Sequence, residues 1–345
     1  AIGDRVVEQE RPFTYQDVGG TRREVPSRFV VAGDTVGFEV GEYDLTRPLV
    51  IDPVIAYASW YGGSAEEVFV DLDLDAAGNL YALGLTIDLE GPLRFPTTAG
   101  AHKTVRGEAA GDAFITKFTS SGAVVFATLL GGTGNELIAA YAYDGGIAVD
   151  GAGNVHVTGT TASANFPVTS GAFDTDYNDD DPGATGSRDG FYARLSPSGA
   201  LTYATYFGGR RHDEPHGIDV DAAGNVYISG STDSDQTTGN DGGFTVTPGA
   251  FDGTKGSIDD IFLIRFDASG QLTYATYLGG NGGDGSEATD VRVSRLVPNV
   301  VYVVGDSRSS DFPTTPATRV QAYNGSGDAD GVVVRLTWPC QGPRS

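Results

Sequence analysis

The sequence predicts an all-β fold assembled from related units, and three observations support this prediction. The stretch GIDVDAAGNVYISG (217–230) alternates apolar and polar residues on both sides of an Ala-Ala-Gly-Asn break, which is typical of a β-hairpin. Related stretches recur at 71–84, 146–159 and, more loosely, 290–305. The chain has 50 Gly in 345 residues, about twice the usual share, and they fall at turns between short apolar runs.

Residues 1–53 precede the repeats but also read as β-structure. They contain the apolar runs PFTYQDV, EVPSRFVVAGDTVGFEVGEYD and RPLVIDP. The Ala32-Gly33-Asp34 break predicts a hairpin within the second run. Such a short set of strands is only marginally stable by itself. We therefore expect it to pack on the repeats or on a neighbouring chain.

Each repeat unit supplies the same segments in order. A strand such as LTYATYFGG (201–209) leads into the hairpin, then a Phe-Pro-Thr segment, a Gly/Asp-rich loop and a strand such as DIFLIRF (260–266). Four short antiparallel strands per unit predict one blade of a β-propeller. We therefore predict a propeller domain at 54–345, with units at roughly 54–123, 124–200, 201–271 and 272–338.

The two ends of the repeat region lack complementary parts. The last unit stops after its third strand, at 330–336, and the first unit opens with a spare strand at 54–63. The simplest prediction is that the N-terminal strand completes the last blade, because closure removes exposed sheet edges. This gives four four-stranded blades. The alternative is five blades, with 23–63 as an incomplete blade of its own.

The phrases VDAAGNVYISGSTDS, DIFLIRFDASGQLTYATYLGG and SDFPTT resemble the SBBP family of bacterial β-propeller repeats, over roughly 38–336. The stretch GFEVGEYDLTRPLVIDPVIAYASWYGG resembles the segment that precedes these repeats in many members. The resemblance implies a secreted, surface-associated propeller and no defined reaction. Two departures stand out: only the last piece of the usual upstream domain is present, and SRLVPN (294–299) replaces the Asp-Ala-Ala-Gly-Asn turn.

The charge and composition of the chain exclude some classes of binding partner. The net charge of −24 repels nucleic-acid phosphates and anionic lipids, so we expect neither partner. No apolar run reaches the 18 or so residues of a membrane-spanning helix. A chain that starts at Ala1 and contains no Met is expected to be processed, with any signal peptide removed. The single Cys340 cannot form an internal disulfide, and its role stays open.

Acidic residues recur at two positions of the unit. The first set precedes the hairpin glycine by three residues, where a carboxylate accepts turn N–H groups while Gly and Asn adopt positive φ; Ca²⁺ coordination is the alternative. Its members are Asp75, Asp150 and Asp221. The second set opens the third strand of each unit, five residues before a base. Its members are Asp112, Asp189, Asp260 and Asp330, with Lys117, Arg194, Arg265 and Arg335.

That odd spacing places acid and base on opposite faces of one strand, so they can pair between blades but not within one. A carboxylate ring that binds a cation is the alternative.

A calcium site is predicted at residues outside the repeat pattern. The stretch DTDYNDDD begins like an EF-hand loop but lacks the loop's Gly and its bidentate Glu, so a solvated loop is the alternative. A second, weaker cluster lies about sixty residues later in the chain. The candidate ligands are Asp174, Asp176, Asn178, Asp179, Asp180, Asp181, Asp233, Asp235 and Asp241.

The heptapeptide RRHDEPH (210–216) stands where other units have small or acidic residues. His212 and His216 have a spacing that suits a metal, but no third His ligand is evident. A ligand-contacting loop and an ordinary salt-bridged loop are the alternatives. His156 takes a position that Tyr holds in the other units, which predicts a packing role.

No nucleophile elbow, phosphate loop or dinucleotide fingerprint appears in a strand–helix context. We therefore predict a non-enzymatic, extracellular or cell-surface propeller with a structural, adhesive or assembly role, stabilised by Ca²⁺. Expected partners are a glycan, a surface protein, or a second copy that binds the N-terminal arm and builds filaments. The alternative function is a carbohydrate-active enzyme with paired carboxylates.

Overall fold

The computed structural model describes residues 13–32, 35–51, 58–64, 66–87, 94–105, 111–137, 144–178, 188–236, 243–256, 258–286, 289–315 and 328–338. These residues form twenty β-strands and contain no helix, which confirms the all-β prediction. Within these ranges no helix is long and apolar enough to cross a membrane. The chain divides into two compact units, 1–60 and 61–345, whereas the sequence analysis placed the boundary after Pro53.

The N-terminal unit contains two small antiparallel sheets. One has the strand order β2-β1-β5 and the other pairs β3 with β4. The strands are β1 Thr14–Val18, β2 Thr21–Glu24, β3 Ser27–Ala32, β4 Thr35–Val40 and β5 Val50–Ile51. The pairing of Ala32 with Thr35 confirms the predicted hairpin. The five-blade alternative needs a blade at 23–63, and the described strands of that range lie in these two sheets.

The second compact unit, which contains the repeats, has four sheets, and in each sheet the strands are antiparallel and follow one another in chain order. The first sheet has β6 Glu67–Leu74, β7 Leu80–Thr86, β8 Asp112–Phe118 and β9 Val124–Leu130. The second sheet has β10 Gly146–Val149, β11 Val155–Thr161, β12 Asp189–Leu195 and β13 Leu201–Phe207. The third sheet has β14 Asp213–Val220, β15 Val226–Thr232, β16 Asp260–Phe266 and β17 Leu272–Leu278. The fourth sheet has β18 Asp290–Val293, β19 Val300–Ser307 and β20 Asp330–Thr337.

The strand that opens a sequence unit therefore pairs with the sheet of the preceding unit. The fourth sheet has three strands among the described residues. Part of the proposed closing strand, residues 54–57, lies outside those residues. Ring closure and the blade count accordingly stay predictions.

The hairpin turns are built as the sequence predicts. Asp221 Oδ1 accepts hydrogen bonds from the N–H groups of Ala223 and Asn225, both at 2.9 Å. Gly224 has a φ of 80°, which favours glycine. Asp75 and Asp150 make the same contacts in their own turns. One detail was wrong: only the fourth hairpin uses Asn at positive φ, at Asn299 with 58°.

The first strands of the sheets, β6, β10, β14 and β18, contact one another in succession. Each is the edge of its own sheet, so alternate N–H groups lack a strand partner. Carboxylates of the preceding sheet supply the acceptors. Asp71 accepts from Ile147 N at 2.9 Å, Asp73 from Val149 N at 2.7 Å, and Asp219 from Val293 N at 2.7 Å.

The opposite edge of each four-stranded sheet is covered by its Phe-Pro-Thr segment. In the third sheet Thr247 N donates to Ala275 O at 3.2 Å, and Ala275 N donates to Thr247 Oγ1 at 2.9 Å. Thr98 with Ala127 and Thr169 with Ala204 repeat both bonds. This cover leaves fewer backbone groups open to pairing with another chain.

The core lies between successive sheets. Separate clusters of buried apolar residues join the first sheet to the second, the second to the third, and the third to the fourth. Phe166 and Phe191 pack with their rings tilted by 32° and the ring centroids 4.6 Å apart. The central strands β11 and β15 are buried along their whole length. Burial on both faces explains the imperfect apolar alternation in the sequence.

Candidate functional site

A buried carboxylate recurs at the corner where one sheet leads into the next. Asp213 Oδ2 accepts from Gly209 N at 2.8 Å and from Ser234 Oγ at 2.9 Å, and Oδ1 accepts from Thr232 Oγ1 at 2.6 Å. Burial raises the pKa of Asp213 to about 7. Glu136 and Asp284 take the same place in the preceding and following corners.

At two of these corners a second carboxylate approaches. It belongs to Asp112, the first residue of β8, at one corner and to Asp260, the first residue of β16, at the other. A methyl group at Gly131 would overlap Glu136 Oε2 and lie 2.7 Å from Asp112 Oδ1. The corner therefore needs glycine because two acids converge on it. Glu136 is fully buried, and its Oε2 accepts no hydrogen bond. Burial raises the pKa of Glu136 to about 7, and the nearby charge of Asp112 adds to the increase.

The corner after the third sheet opens into a cleft of about 270 Å³. Its acidic lining residues are Asp252, Asp260 and Asp311, and its base is Lys255. Asp260 is 1% exposed, and its Oδ1 accepts no hydrogen bond. Burial raises the pKa of Asp260 to about 7, and the charges of Asp284 and Asp252 add to that increase.

Lys255 offsets part of this negative charge. Its Nζ donates to Gly256 O at 3.1 Å and to Ile258 O, and lies 3.6 Å from Asp235 Oδ1. Carboxylate and carbonyl oxygens around a cleft are the ligand set that hard cations such as Ca²⁺ prefer. The cleft can therefore hold a cation beside the buried Asp260 oxygen.

A different group of side chains, the Asp–Glu–His cluster, lies between the second and third sheets. It consists of Asp144, Glu214 and His216, whose possible ligand atoms all lie within 4.8 Å of one another. Asp144 comes two residues before β10, and the other two belong to β14. The β14–β15 register shifts between Pro215 and Gly217, so His216 sits in a β-bulge. Bulges commonly redirect a side chain near a functional site.

The members of this cluster are exceptions to the repeat. Where the third sheet has Glu214 and His216, the first sheet has Val68 and Val70. Glu214 and His216, which differ from the repeat pattern, thus lie beside Asp144, which also differs from it and belongs to the neighbouring sheet. The common fold of the repeats does not explain why these three side chains lie together.

The environment of His216 defines its chemistry. Its Nε2 lies 3.5 Å from Asp144 Oδ2, and its Nδ1 lies 3.2 Å from both the N–H and the hydroxyl of Thr289. Arg188 Nη1 lies 3.6 Å from Glu214 Oε1. Asp144 is 7% exposed, and its Oδ2 accepts no hydrogen bond. The cluster can bind a cation or exchange a proton between imidazole and carboxylate.

The first predicted calcium loop is described in part. Asp174 Oδ1 accepts from Asp176 N at 2.9 Å, and Asn178 N donates to Asp189 Oδ2 at 2.9 Å. Burial raises the pKa of Asp174, and the charge of Asp176 contributes. Asp179, Asp180 and Asp181 lie outside the described residues.

The second predicted calcium cluster is divided between different partners. Asp233 Oδ1 accepts from His212 N at 2.6 Å, and Asp235 faces Lys255. Asp241 lies outside the described residues. The structure thus connects Asp235 to the acidic cleft through Lys255, and Asp233 to a backbone turn.

The histidines have separate surroundings. His216 belongs to the Asp–Glu–His cluster, whereas His212 does not, and the backbone N–H of His212 donates to Asp233. His156 is buried, with Nδ1 3.0 Å from Tyr192 Oη and Nε2 3.4 Å from Asp150. This confirms the predicted packing role of His156.

The bases of the third strands behave differently from the prediction of ion pairs between blades. Lys117 Nζ lies 3.7 Å from Asp75 Oδ2 in its own sheet and 4.7 Å from the centre of the Tyr81 ring. Arg194 does reach the next sheet, but it donates to the carbonyl of Ala268, at 2.6 Å. The bases sit beside turn groups at the far end of the strand from the buried acids, which explains the difference.

Sequence reasoning missed Asp144, Asp252 and Asp311. An alignment of the units within the chain would have marked Asp144, since Phe69 and Pro215 stand at its position. Asp252 matches Asp174 of the second unit, so the predicted calcium loop did contain an indication of it.

Comparisons with known proteins agree with this architecture. A family model described as beta-propeller repeat, SBBP, matches residues 125–167 and 202–235, and one described as a domain of unknown function, DUF7948, matches residues 2–54. No curated protein matches the chain.

Two solved structures show weak similarity. A protein of unknown function from Dyadobacter fermentans is 13% identical, with a TM-score of 0.37, over 86% of this chain and 67% of that one. A Synechocystis apocarotenoid oxygenase mutant is 10% identical, with a TM-score of 0.32, over 72% of this chain and 45% of that one. The chain thus spans under half of the oxygenase, and neither similarity supports an argument.

Proposed function

We propose that this protein, which carries β-propeller repeats of the SBBP type, is a non-enzymatic, secreted or cell-surface scaffold stabilised by Ca²⁺. One observation carries this proposal: the recurring polar groups of the repeat are engaged in holding it together. In the third unit Asp221 binds its turn, Asp219 binds the next sheet, and Asp213 binds the corner. A repeat whose acids are used in this way supports a structural role.

The scaffold we propose is a ring of four blades. Support comes from Asp71, whose pKa is raised by burial, lowered by the charge of Arg292 and raised by that of Asp290. Asp71 lies on β6, and Arg292 and Asp290 lie on β18. The first strands of the first and fourth sheets are therefore close enough to interact electrostatically. In this proposal residues 54–63 supply the fourth strand of the last blade.

The Ca²⁺ part of the proposal places an ion in the acidic cleft, beside Asp260 and Asp252. A buried carboxylate oxygen without a hydrogen-bond donor is stabilised by a bound cation, which also removes the repulsion between neighbouring acids. The matching residues of the second unit are Asp189 and Asp174, and the predicted loop there follows the same plan.

The test measures thermal unfolding of metal-stripped protein with chelator and with added Ca²⁺. A ligand that binds only the native state stabilises it by about 2.7 kcal/mol at a hundredfold excess over its Kd. We expect the double variant Asp252→Asn, Asp260→Asn to lose most of this response, and Asp174→Asn with Asp176→Asn to lose a part. The control is Glu66→Gln, at an exposed position. A melting temperature that ignores Ca²⁺ contradicts the proposal.

Assembly through the N-terminal unit is a further part of the proposal, alongside binding of a glycan or surface protein. The β3–β4 hairpin forms a two-stranded sheet and exposes Val30 and Phe38. Such a hairpin can add to the sheet of another chain, and head-to-tail addition yields filaments. Size-exclusion chromatography and negative-stain imaging should show larger species that disappear when the chain begins at Val54. A full chain that stays monomeric at high concentration contradicts assembly.

The second candidate function is a carbohydrate-active enzyme with paired carboxylates. The carboxyl oxygens of Asp144 and Glu214 lie within 4.8 Å, and retaining glycosidases hold their carboxyl groups about 5–5.5 Å apart. Arg188 beside Glu214 and the burial of Asp144 argue for the scaffold instead. Hydrolysis of any member of a polysaccharide panel, lost in Glu214→Gln, would favour the enzyme.

A further inference from the structure

We propose that the Asp–Glu–His cluster binds a divalent transition-metal ion, with Zn²⁺ as the best match. The proposed ligands are one oxygen each of Asp144 and Glu214 and Nε2 of His216. This site is separate from the acidic cleft and does not depend on the Ca²⁺ proposal.

The spacing of the ligand atoms suits a small metal ion. Bonds of about 2.0–2.1 Å in a tetrahedral arrangement put neighbouring ligand atoms roughly 3.3 Å apart. The distance between His216 Nε2 and Asp144 Oδ2 is 3.5 Å, and the three ligand atoms span at most 4.8 Å. Three protein ligands leave a fourth position for water, as in open zinc sites.

Asp144 provides an independent indication of a ligand. The residue is more than nine-tenths buried, and its Oδ2, which faces His216, accepts no hydrogen bond. A buried carboxylate oxygen without a donor costs free energy because it has lost its water. A metal ion bound between Asp144 and the imidazole removes that cost.

The surroundings of His216 support ligation through Nε2. A metal-bound imidazole usually donates its other N–H to an oxygen, which fixes the ring. Thr289 Oγ1 lies 3.2 Å from Nδ1 and can accept that bond. In the structure the backbone N–H of Thr289 donates to the same Nδ1 at 3.2 Å. Ligation through Nε2 puts a proton on Nδ1, so this N–H loses its acceptor and the hydroxyl of Thr289 is the group that can hold the ring.

The donor set selects the class of metal. An imidazole nitrogen with two carboxylates suits Zn²⁺ and its neighbours better than Ca²⁺, which prefers six to eight oxygens. Arg188 balances one of the two carboxylates, so a divalent ion meets a site of low net charge. The binding of Zn²⁺ should therefore be insensitive to Ca²⁺.

The experiment titrates metal-stripped full-length protein with ZnCl₂ and, separately, with CoCl₂. We expect one tight equivalent by isothermal titration calorimetry, and visible absorption bands of tetrahedral or five-coordinate Co²⁺. Weak binding of several ions, or none, overturns the proposal. A 100-fold excess of Ca²⁺ should change the Zn²⁺ affinity less than threefold.

Variants can borrow residues from other units, which protects the fold. Glu214→Val and His216→Val install the residues of the first sheet, and Asp144→Ala installs that of the fourth. Each should weaken Zn²⁺ binding by at least tenfold. The matched control is His156→Tyr, because His156 also pairs with a carboxylate but Tyr81 and Tyr227 fill its position elsewhere. Equal loss in this control, or unchanged binding in all three variants, overturns the proposal.

A measurement on the unchanged protein keeps the proposal testable if a variant misfolds. The chain has 4 His, so their imidazole nitrogens can be resolved by NMR. Zn²⁺ should move the Nε2 resonance of His216 and convert its Nδ1 to the protonated form. A shift centred on His212, or no shift at His216, contradicts the site.

Discussion

The Asp73 carboxylate on β6 accepts a hydrogen bond of 2.7 Å from the backbone N–H of Val149 on β10. Two separate sheets are joined by this bond, because Val149 lies on the edge of its own sheet. Asp219 and Val293 form the same bond two sheets further along. At the matching position of the second sheet stands Ala148, so that sheet has no such carboxylate.

Replacing Asp73 by Ala should therefore lower the free energy of unfolding. A fully buried N–H that loses its acceptor costs about 1–3 kcal/mol, and the bond between Val149 and Asp73 is partly buried, so we expect the lower end of that range. Urea unfolding followed by fluorescence measures the difference, with Asp17→Ala as the control because Asp17 is an exposed strand acid. Equal stability of the two variants would show that water replaces the carboxylate at no cost.

Glu136→Gln should change the pH dependence of stability. The pKa of Glu136 is raised to about 7 in the folded protein, against about 4.3 in the unfolded chain. Between these values the folded state binds more protons, so the stability that Glu136 contributes falls as the pH rises to 7. The variant removes this loss, on the order of 4 kcal/mol from the pKa difference.

The comparison is made by urea unfolding at pH 5 and pH 8. We expect Glu136→Gln to be more stable than the parent at pH 8, and the two to be similar at pH 5. Glu66→Gln, at an exposed position, is the control and should show neither effect. A Glu136→Gln variant that is destabilised equally at both pH values would contradict the raised pKa.

The threonines that cover the outer edges should stabilise each four-stranded sheet. Thr98, Thr169 and Thr247 each donate and accept with one backbone residue of the edge strand. Changing one of them to Val removes the side-chain hydrogen bond, at a cost of about 1 kcal/mol. Melting temperature and light scattering measure the effect. The exposed Thr175→Val is the control, and a triple variant as stable as that control would exclude the role.

Ring closure makes a prediction of its own. If residues 54–63 complete the last blade, their deletion leaves β20 with an unpaired edge, and exposed edges promote aggregation. We expect a lower melting temperature and larger particles by light scattering. Unchanged melting and a monodisperse sample would favour the five-blade alternative.

The repeated elements could be predicted because their causes are local. The hairpin at Asp221–Asn225 is set by an alternating pattern and by a turn whose carboxylate binds backbone N–H groups four residues away at most. Glycine at positive φ follows from the same turn. The burial of His156 was predicted, since Tyr holds the equivalent position in the other units.

The predicted ion pairs of Lys117 and Arg194 were wrong because side-chain direction alone does not choose a partner. Alternation places Lys117 on one face, but the turn of its own sheet brings Asp75 within 3.7 Å. Likewise, the calcium prediction relied on charge density at Asp174–Asp181, whereas the cleft is formed by acids from three different segments.

The sequence by itself determined the all-β class, the repeated hairpins and their turns, because contacts between residues a few positions apart decide them. Only the tertiary structure decided which acids share a corner and that Asp144 meets His216 across two sheets. The physical reason is that these meetings depend on how sheets stack and where a bulge redirects β14. Such long-range contacts produce no periodic pattern in a single sequence. The role of residues that differ from the repeat, such as Asp144 and His216, is therefore visible only in the structure, where the sheets bring them together.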